Sequence, residues 1–162
     1  MKSDNHFIHP SSIVSEKSDI GEGSSVWHFS HIREGAKIGK NVTIGQNVYI
    51  DRDVIVGDNC KIQNNVSVYK GVHIKNNVFV GPSVVFTNDI YPISNEWSEA
   101  KIIETFIGED VSIGANSTIV AGITIGDRTL IGAGSVVTKN IPNNSIAYGN
   151  PAKVRVKNYR KD

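Results

Sequence analysis

Cysteine and methionine occur once each in these 162 residues, tryptophan only twice, and no long apolar run occurs anywhere. Without such a run a membrane-spanning helix is excluded, and with no signal-peptide pattern the chain is expected to stay in the cytoplasm. Excess charge is missing as well. Seventeen Lys and Arg against sixteen Asp and Glu leave a net charge of +1, so the surface as a whole has no electrostatic reason to bind nucleic acid or an anionic membrane. Also absent are the three-and-four spacing of an amphipathic helix and the alternation of a half-buried strand.

The period present instead is six. Ile8, Val14, Ile20, Val26, Ile32, Ile38, Ile44, Ile50, Val56, Ile62, Val68, Ile74, Val80 and Phe86 follow one another at that spacing. A short unit repeated head to tail is the signature of a solenoid. Four places after each of these stands a second inward candidate, small or β-branched, running from Ser12, Ser18, Ser24, Ser30 and Ala36 to Val78 and Val84. Two inward positions per hexad leave room for one very short strand and one turn. Glycine recurs just after the apolar residue, at Gly21, Gly39, Gly45, Gly57 and Gly81, where it suits tight turning and close approach of neighbouring chains. Cys60 falls on an inward position and is read as core filler.

This repeat resembles the left-handed parallel β-helix, an all-β solenoid in which three hexads make a triangular coil of eighteen residues. The handedness is implied by the resemblance alone. Residues 1–162 are read as one domain of this kind. The register breaks after Phe86 and restarts three residues out of phase at Ile107. Residues 87–106, with Tyr91, Pro92, Trp97 and flanking acids, are expected to form a long external loop that folds over something. Residues 140–162 are expected to cap the last coil as a short helix or extended arm, and the polar start MKSDNH is expected to fray.

Stacking residues eighteen apart sorts the outward positions by corner. One corner carries Gly23, Asn41, Asn59 and Asn77, which tolerate left-handed backbone and are explained by turning. A second stacks Trp27, Gly45, Gln63 and Gly81, then His28, Gln46, Asn64 and Pro82, then Phe29, Asn47, Asn65 and Ser83. Amides on a rigid wall suit a polar ligand, or else form a ladder tying coil to coil. The third corner stacks Arg33, Asp51, Tyr69 and Thr87, with Glu34, Arg52, Lys70 and Asn88 beside them, and runs into the loop. Basic residues crowd the end at Lys153, Arg155, Lys157, Arg160 and Lys161, as a solvated tail or as phosphate partners.

The stretches VWHFSHI, IGQNVYI, KIQNNVSVYKGV, VFVGPSVVFTND and GNPAK resemble hexapeptide-repeat acyltransferases, and more narrowly bacterial sugar-nucleotide 3-N-acetyltransferases. The resemblance implies a homotrimer with active sites between subunits, acetyl-CoA as donor, and a nucleotide-linked 3-amino-3-deoxyhexose as acceptor for a surface glycan. Family members often carry Arg after the loop proline, whereas here Pro92 is followed by Ile93. Arginine suits a carboxylate, so its absence favours a dTDP-linked 3-amino-3,6-dideoxyhexose over a UDP-linked 3-amino glucuronate.

Asn88, matching the family's Phe-Thr-Asn motif, is expected to orient the amine, with His28 and His31 as competing acid-base or wall residues. Gln46, Asn64, Asn65 and Tyr69 are expected to contact the substrate, with Asp89 placing the loop. Gly114, Ala115, Ala133 and Gly134 would leave backbone open to the pantetheine arm. Gly149, Asn150 and Pro151 would meet the adenine end, and Lys153 or Arg155 a phosphate. No metal is expected. A zinc hydratase of the carbonic anhydrase type would need three converging histidines, and under the eighteen-residue rule His28 meets only His31. A non-catalytic scaffold trimer would have no use for the loop.

Overall fold

In the computed structural model, which describes residues 5–158, each hexad contributes one strand of only two residues, or three at Val72–Ile74 and Thr105–Ile107. Its first residue points outward and its second inward, as in Lys37–Ile38 and Lys61–Ile62, where Lys is exposed and Ile buried. Successive strands go to three different sheets, of nine, seven and six strands among the described residues, parallel throughout except for the last strand of the first. The first sheet runs through Phe7, Ser25, Thr43, Lys61 and Phe79, and the second through Ile13, His31, Tyr49, Ser67 and Val85. The third runs through Asp19, Lys37, Ile55, His73 and Phe106. Inside the prism the hexad residues from Val26 to Val137 and the second series from Val42 to Val84 form one core. Each fully buried Ile or Val contributes about 1.5–3 kcal/mol of transfer free energy.

Corners turn on the third residue after the apolar one. Asn41, Asn59 and Asn77 have φ of 54, 58 and 59°. Phe29, Asn47, Asn65 and Ser83 occupy the same left-handed state at 57, 55, 61 and 59°, so corner geometry is not confined to one side of the prism. The glycines just after the apolar residue serve a different need. Gly39 turns with ordinary negative φ, but a Cβ there would lie 2.4 Å from Asp58 Oδ1 and 2.7 Å from the Gly57 carbonyl carbon of the next coil. Close approach alone demands glycine here.

Polar inward residues are satisfied by the stacking. Ser24 and Ser30 are buried, and their hydroxyls donate to the carbonyls of Gly39 and Gly45 while accepting from the backbone N–H of Val42 and Val48. Cys60 is likewise buried, and its thiol donates to the Lys75 carbonyl at 3.1 Å. Burial pushes that thiol up from 9.0 to about 11, which keeps it protonated and inert.

Ile74 pairs with Ile107, so the third sheet continues across the loop in register. Thr105 and Phe106 belong to this strand rather than to the loop, because Val72 pairs with Thr105 and the Thr105 side chain is buried. The cap is an antiparallel hairpin of Ser145–Gly149 and Ala152–Lys157, added to the first sheet beside Leu130–Ile131. It is the extended alternative, not a helix. At the other end Asn5 is held by its carbonyl, which accepts from Gly23 N–H at 2.7 Å. Residues 1–4 of the expected frayed start, and Arg160 and Lys161 of the basic tail, lie outside the described residues.

Candidate functional site

The external loop is clamped to the corner between the second and third sheets. Arg52 and Lys70 both reach Glu99 in the loop's single 3₁₀ turn, Glu99–Lys101, with Lys70 Nζ 3.3 Å from Oε2. Lys70 also meets Asp53 at 3.1 Å, and that contact chiefly raises its pKa. The Arg52 guanidinium lies 6.0 Å over the Trp97 ring, and His73 Nε2 is 3.1 Å from Glu104 Oε1. The charges read in sequence as a cross-coil column therefore divide. Arg33 pairs within the wall, with Glu34 at 2.7 Å and Asp51 at 3.4 Å, whereas Arg52 and Lys70 anchor the loop.

Asn88 lies at the mouth of this loop, directly after Val85–Phe86 and Thr87. Its carbonyl accepts from Ile103 N–H at 3.0 Å, which closes the loop's neck. The half-buried Asn88 amide has no side-chain hydrogen bond to another described residue and is free for a ligand. Asp89 Oδ1 accepts from Tyr91 N–H at 2.8 Å, an Asx turn that starts the loop. Tyr69 is exposed on the same corner, with its ring 5.5 Å from that of Tyr49. Tyr49 in turn donates to Asp51 at 3.0 Å, and burial is the main cause of its raised pKa.

The two histidines stand apart from Asn88. His31 faces outward on the second sheet, edge-on to Tyr49 at 5.7 Å. His31, Tyr49, Ser67 and Val85 are successive partners in that sheet. Three strand spacings make the separation roughly 14 Å along the prism. His28 belongs to the corner between the first and second sheets, where its ring stacks on His9 at 3.5 Å. The expectation that His28 meets only His31 is corrected by this contact. His9 occupies the turn position below Trp27 and is displaced by one residue, so a strict interval of eighteen does not find it. Among the described residues no group of three His, Cys, Asp or Glu side chains is placed to hold a metal ion.

The amide wall is partly a ladder. Asn64 Oδ1 accepts from Gln46 N–H at 2.8 Å, and Asn47 Nδ2 donates to Asn65 Oδ1 at 2.9 Å. Both oxygens are thus committed to holding coil on coil. The Gln46 side chain is exposed and has no hydrogen-bond partner among the described residues. The neighbouring Gln63 amide, not among the residues expected from sequence to contact substrate, likewise has no side-chain hydrogen-bond partner among the described residues; its alignment between Gly45 and Gly81 is the signal that marks it.

The residues expected to hold acetyl-CoA do come together. Gly114–Ala115 and Ala133–Gly134 follow successive first-sheet strands, and Gly134 N–H donates to the Ala115 carbonyl at 2.8 Å. Nothing stands within 4 Å of where a Gly134 Cβ would be. Ser135 Oγ accepts from Gly149 N–H at 3.2 Å, which brings the hairpin turn of Gly149, Asn150 and Pro151 to the same edge. Lys153 is exposed and lies opposite Tyr148, and the Arg155 guanidinium sits 5.3 Å over the Tyr148 ring. Both cations therefore stand on the hairpin that joins the edge of this column of small residues.

Comparison with known proteins agrees with this architecture. The model of the bacterial transferase hexapeptide (six repeats) matches residues 17–52, 53–88 and 104–139, on either side of the loop. A stretch of 51 residues, 32% of this chain and 27% of the relative, is 55% identical to a dTDP-3-amino-3,6-dideoxy-α-D-galactopyranose 3-N-acetyltransferase of Aneurinibacillus thermoaerophilus. A maltose O-acetyltransferase from Clostridium difficile is 35% identical over 74% of this chain and 68% of its own, with a TM-score of 0.65. A GDP-perosamine N-acetyltransferase variant from Caulobacter crescentus, solved with CoA and GDP-perosamine, is 26% identical. That likeness covers 93% of this chain and 56% of the other, with a TM-score of 0.63. With three matched segments spanning most of its length, this left-handed β-helix belongs to the bacterial hexapeptide transferase family.

Proposed function

We propose that this protein transfers acetyl from acetyl-CoA to the C3 amine of a dTDP-linked 3-amino-3,6-dideoxyhexose destined for a bacterial surface glycan. The observation that carries the reading is the 55% identity to an enzyme named for that reaction on a dTDP-3-amino-3,6-dideoxy sugar. Ile93 after Pro92 supports the neutral sugar, because no guanidinium stands there to meet a uronate.

The chemistry asks little of an acid-base pair. The amine nitrogen attacks the thioester carbonyl, forming the C–N bond and a tetrahedral oxyanion; as C=O re-forms the C–S bond breaks, and the departing sulfur takes the proton the amine gives up. Asn88 orients the amine, and backbone N–H groups of the small-residue column steady the oxyanion. Placing amine and thioester in line is the main catalytic effect, since well-oriented pairs reach effective molarities of about 10⁵–10⁸ M.

A homotrimer completes the site. In one protomer Asn88 and the histidine corner lie on opposite edges of the second sheet, so a cleft using both needs a neighbour. That sheet's outward column, Ile13, His31, Tyr49, Ser67, Val85, Thr118 and Val136, carries no Asp, Glu, Lys or Arg. An uncharged face supports it as the surface packed around the threefold axis. Acetyl-CoA as donor supports a cytoplasmic reaction. No helix among the described residues is long and apolar enough to cross a membrane.

The test is CoA release, followed with a thiol reagent, across dTDP-linked 3-amino-3,6-dideoxyhexoses, a UDP-linked 3-amino glucuronate and GDP-perosamine. Turnover on the first group supports the reading. Preference for the glucuronate or perosamine, or no CoA release with any sugar, refutes it.

A further inference from the structure

Five aromatic rings gather at the first coils, and the mechanism uses none of their faces. Phe7 and Trp27 lie 5.3 Å apart, His9 stacks on His28 at 3.5 Å, and the Trp27 and His28 rings are within 13° of parallel. Trp27 is 43% exposed and Phe29 64%. A core or corner position does not need a large ring held open to solvent. Beside Trp27 a pocket of about 300 Å³ has Trp27, His28, Thr43, Gln46, Gln63 and Asn64 among its lining residues. The amides of Gln46 and Gln63 are without partners among the described residues, so donor and acceptor groups converge on a space bounded by a ring face. Lys61 stands in the first sheet directly beside Thr43, exposed and with no ion pair among the described residues.

Ring face, free amides and one cation in sequence match the parts of a nucleotide. Bases stack on aromatic faces whatever their edge pattern. An amide presents an acceptor and a donor side by side, which complements the adjacent N–H and C=O of thymine or uracil. The ammonium of Lys61 suits a phosphate as a point charge.

Resting on the nucleotide-sugar reading, we propose that Trp27 and His28 form the shelf for the nucleobase of the acceptor, that Gln46 and Gln63 read its edge, and that Lys61 meets the diphosphate. Gln46 then contacts base rather than sugar. Asn64 acts here through its bond to the Gln46 backbone and is a positioning residue.

Calorimetric titration of dTDP, thymidine and pyrophosphate into the wild-type protein and the Trp27→Ala, Trp27→Phe and Lys61→Ala variants tests the assignment. Stacking contributes enough that Trp27→Ala is expected to weaken dTDP binding by roughly five- to a hundredfold. Trp27→Phe should recover most of the affinity, which a merely misfolded corner would not. Lys61→Ala should weaken dTDP and pyrophosphate but leave thymidine unchanged, and acetyl-CoA affinity should hold in every variant. If wild-type protein binds dTDP and Trp27→Ala binds it equally well, the shelf is refuted while the acetyltransfer reading stands. If wild-type protein binds acetyl-CoA but neither dTDP nor thymidine, both the shelf and its dTDP-linked acceptor fall.

Discussion

Glu99, in the middle of the external loop, is ion-paired to Arg52 on the prism wall, and Lys70 closes on the same carboxylate from the next coil. Arg52 also lies over Trp97, so charge and ring hold the loop at one point. Partly exposed pairs of this kind contribute about 0.2–1 kcal/mol each. Glu99→Gln is therefore expected to leave thermal unfolding of the prism almost unchanged. It should raise KM for the sugar nucleotide roughly severalfold, by releasing the loop that carries Asn88 at its base. Salt should narrow the difference between variant and wild type, because screening weakens the pair in the wild type. A salt-independent difference would count against the clamp.

Asn88→Ala should lower kcat/KM by roughly a hundredfold, the scale of losing one oriented polar contact at a reacting centre, while the circular dichroism spectrum stays that of the wild type. His28→Ala and His31→Ala are expected to alter KM for the sugar more than kcat. Near-normal turnover in the Asn88 variant would take that residue out of the mechanism.

Cys60 supplies a pH prediction with a definite sign. Its thiol is raised in the folded protein from 9.0 to about 11, so the native state holds the proton more tightly than the unfolded chain. The resulting stability is intact below pH 9 and declines as pH rises toward 11. Denaturant midpoints at pH 8 and pH 10.5 should differ more for the wild type than for Cys60→Val. A disulfide reagent at pH 8 should label the thiol only after unfolding, and rapid labelling of the native protein would contradict the buried placement.

Gly39→Ala should destabilise the fold by roughly 1–3 kcal/mol, the cost of forcing atoms into a packed contact. Its Cβ would lie 2.7 Å from the Asp58 backbone nitrogen, which cannot swing aside as a side chain can. Urea unfolding measures it. A neutral result would mean that the coils separate more easily than their hydrogen bonds imply.

The six-residue spacing made the winding readable, since Ile32, Ile38 and Ile44 cannot share any helix face or single strand yet all are buried. The phase shift at Ile107 located the loop to within two residues. What the spacing could not tell apart were side chains of one type in two jobs. Asn65 turns a corner and ties coils, whereas the Asn88 side-chain amide has no hydrogen-bond partner among the described residues, and both are simply asparagines at corners. Contacts off the eighteen-residue interval, such as His9 on His28 and Arg52 on Glu99, depend on rotamers and on the path of the loop. Neither is encoded in a period. The hairpin was undecided because its Val-Arg-Val run pairs antiparallel with a strand outside the repeat.

Because Ile74 pairs with Ile107 one coil further on, in register, the excursion after Phe86 and before Thr105 is a removable module on a rigid chassis. A change in its length or composition need not disturb a rung beneath it, since all three sheets pair in register on either side. Exchanging that one surface excursion would thus alter what meets Asn88 at its base while leaving the small-residue column at Gly134 and Gly149 in place.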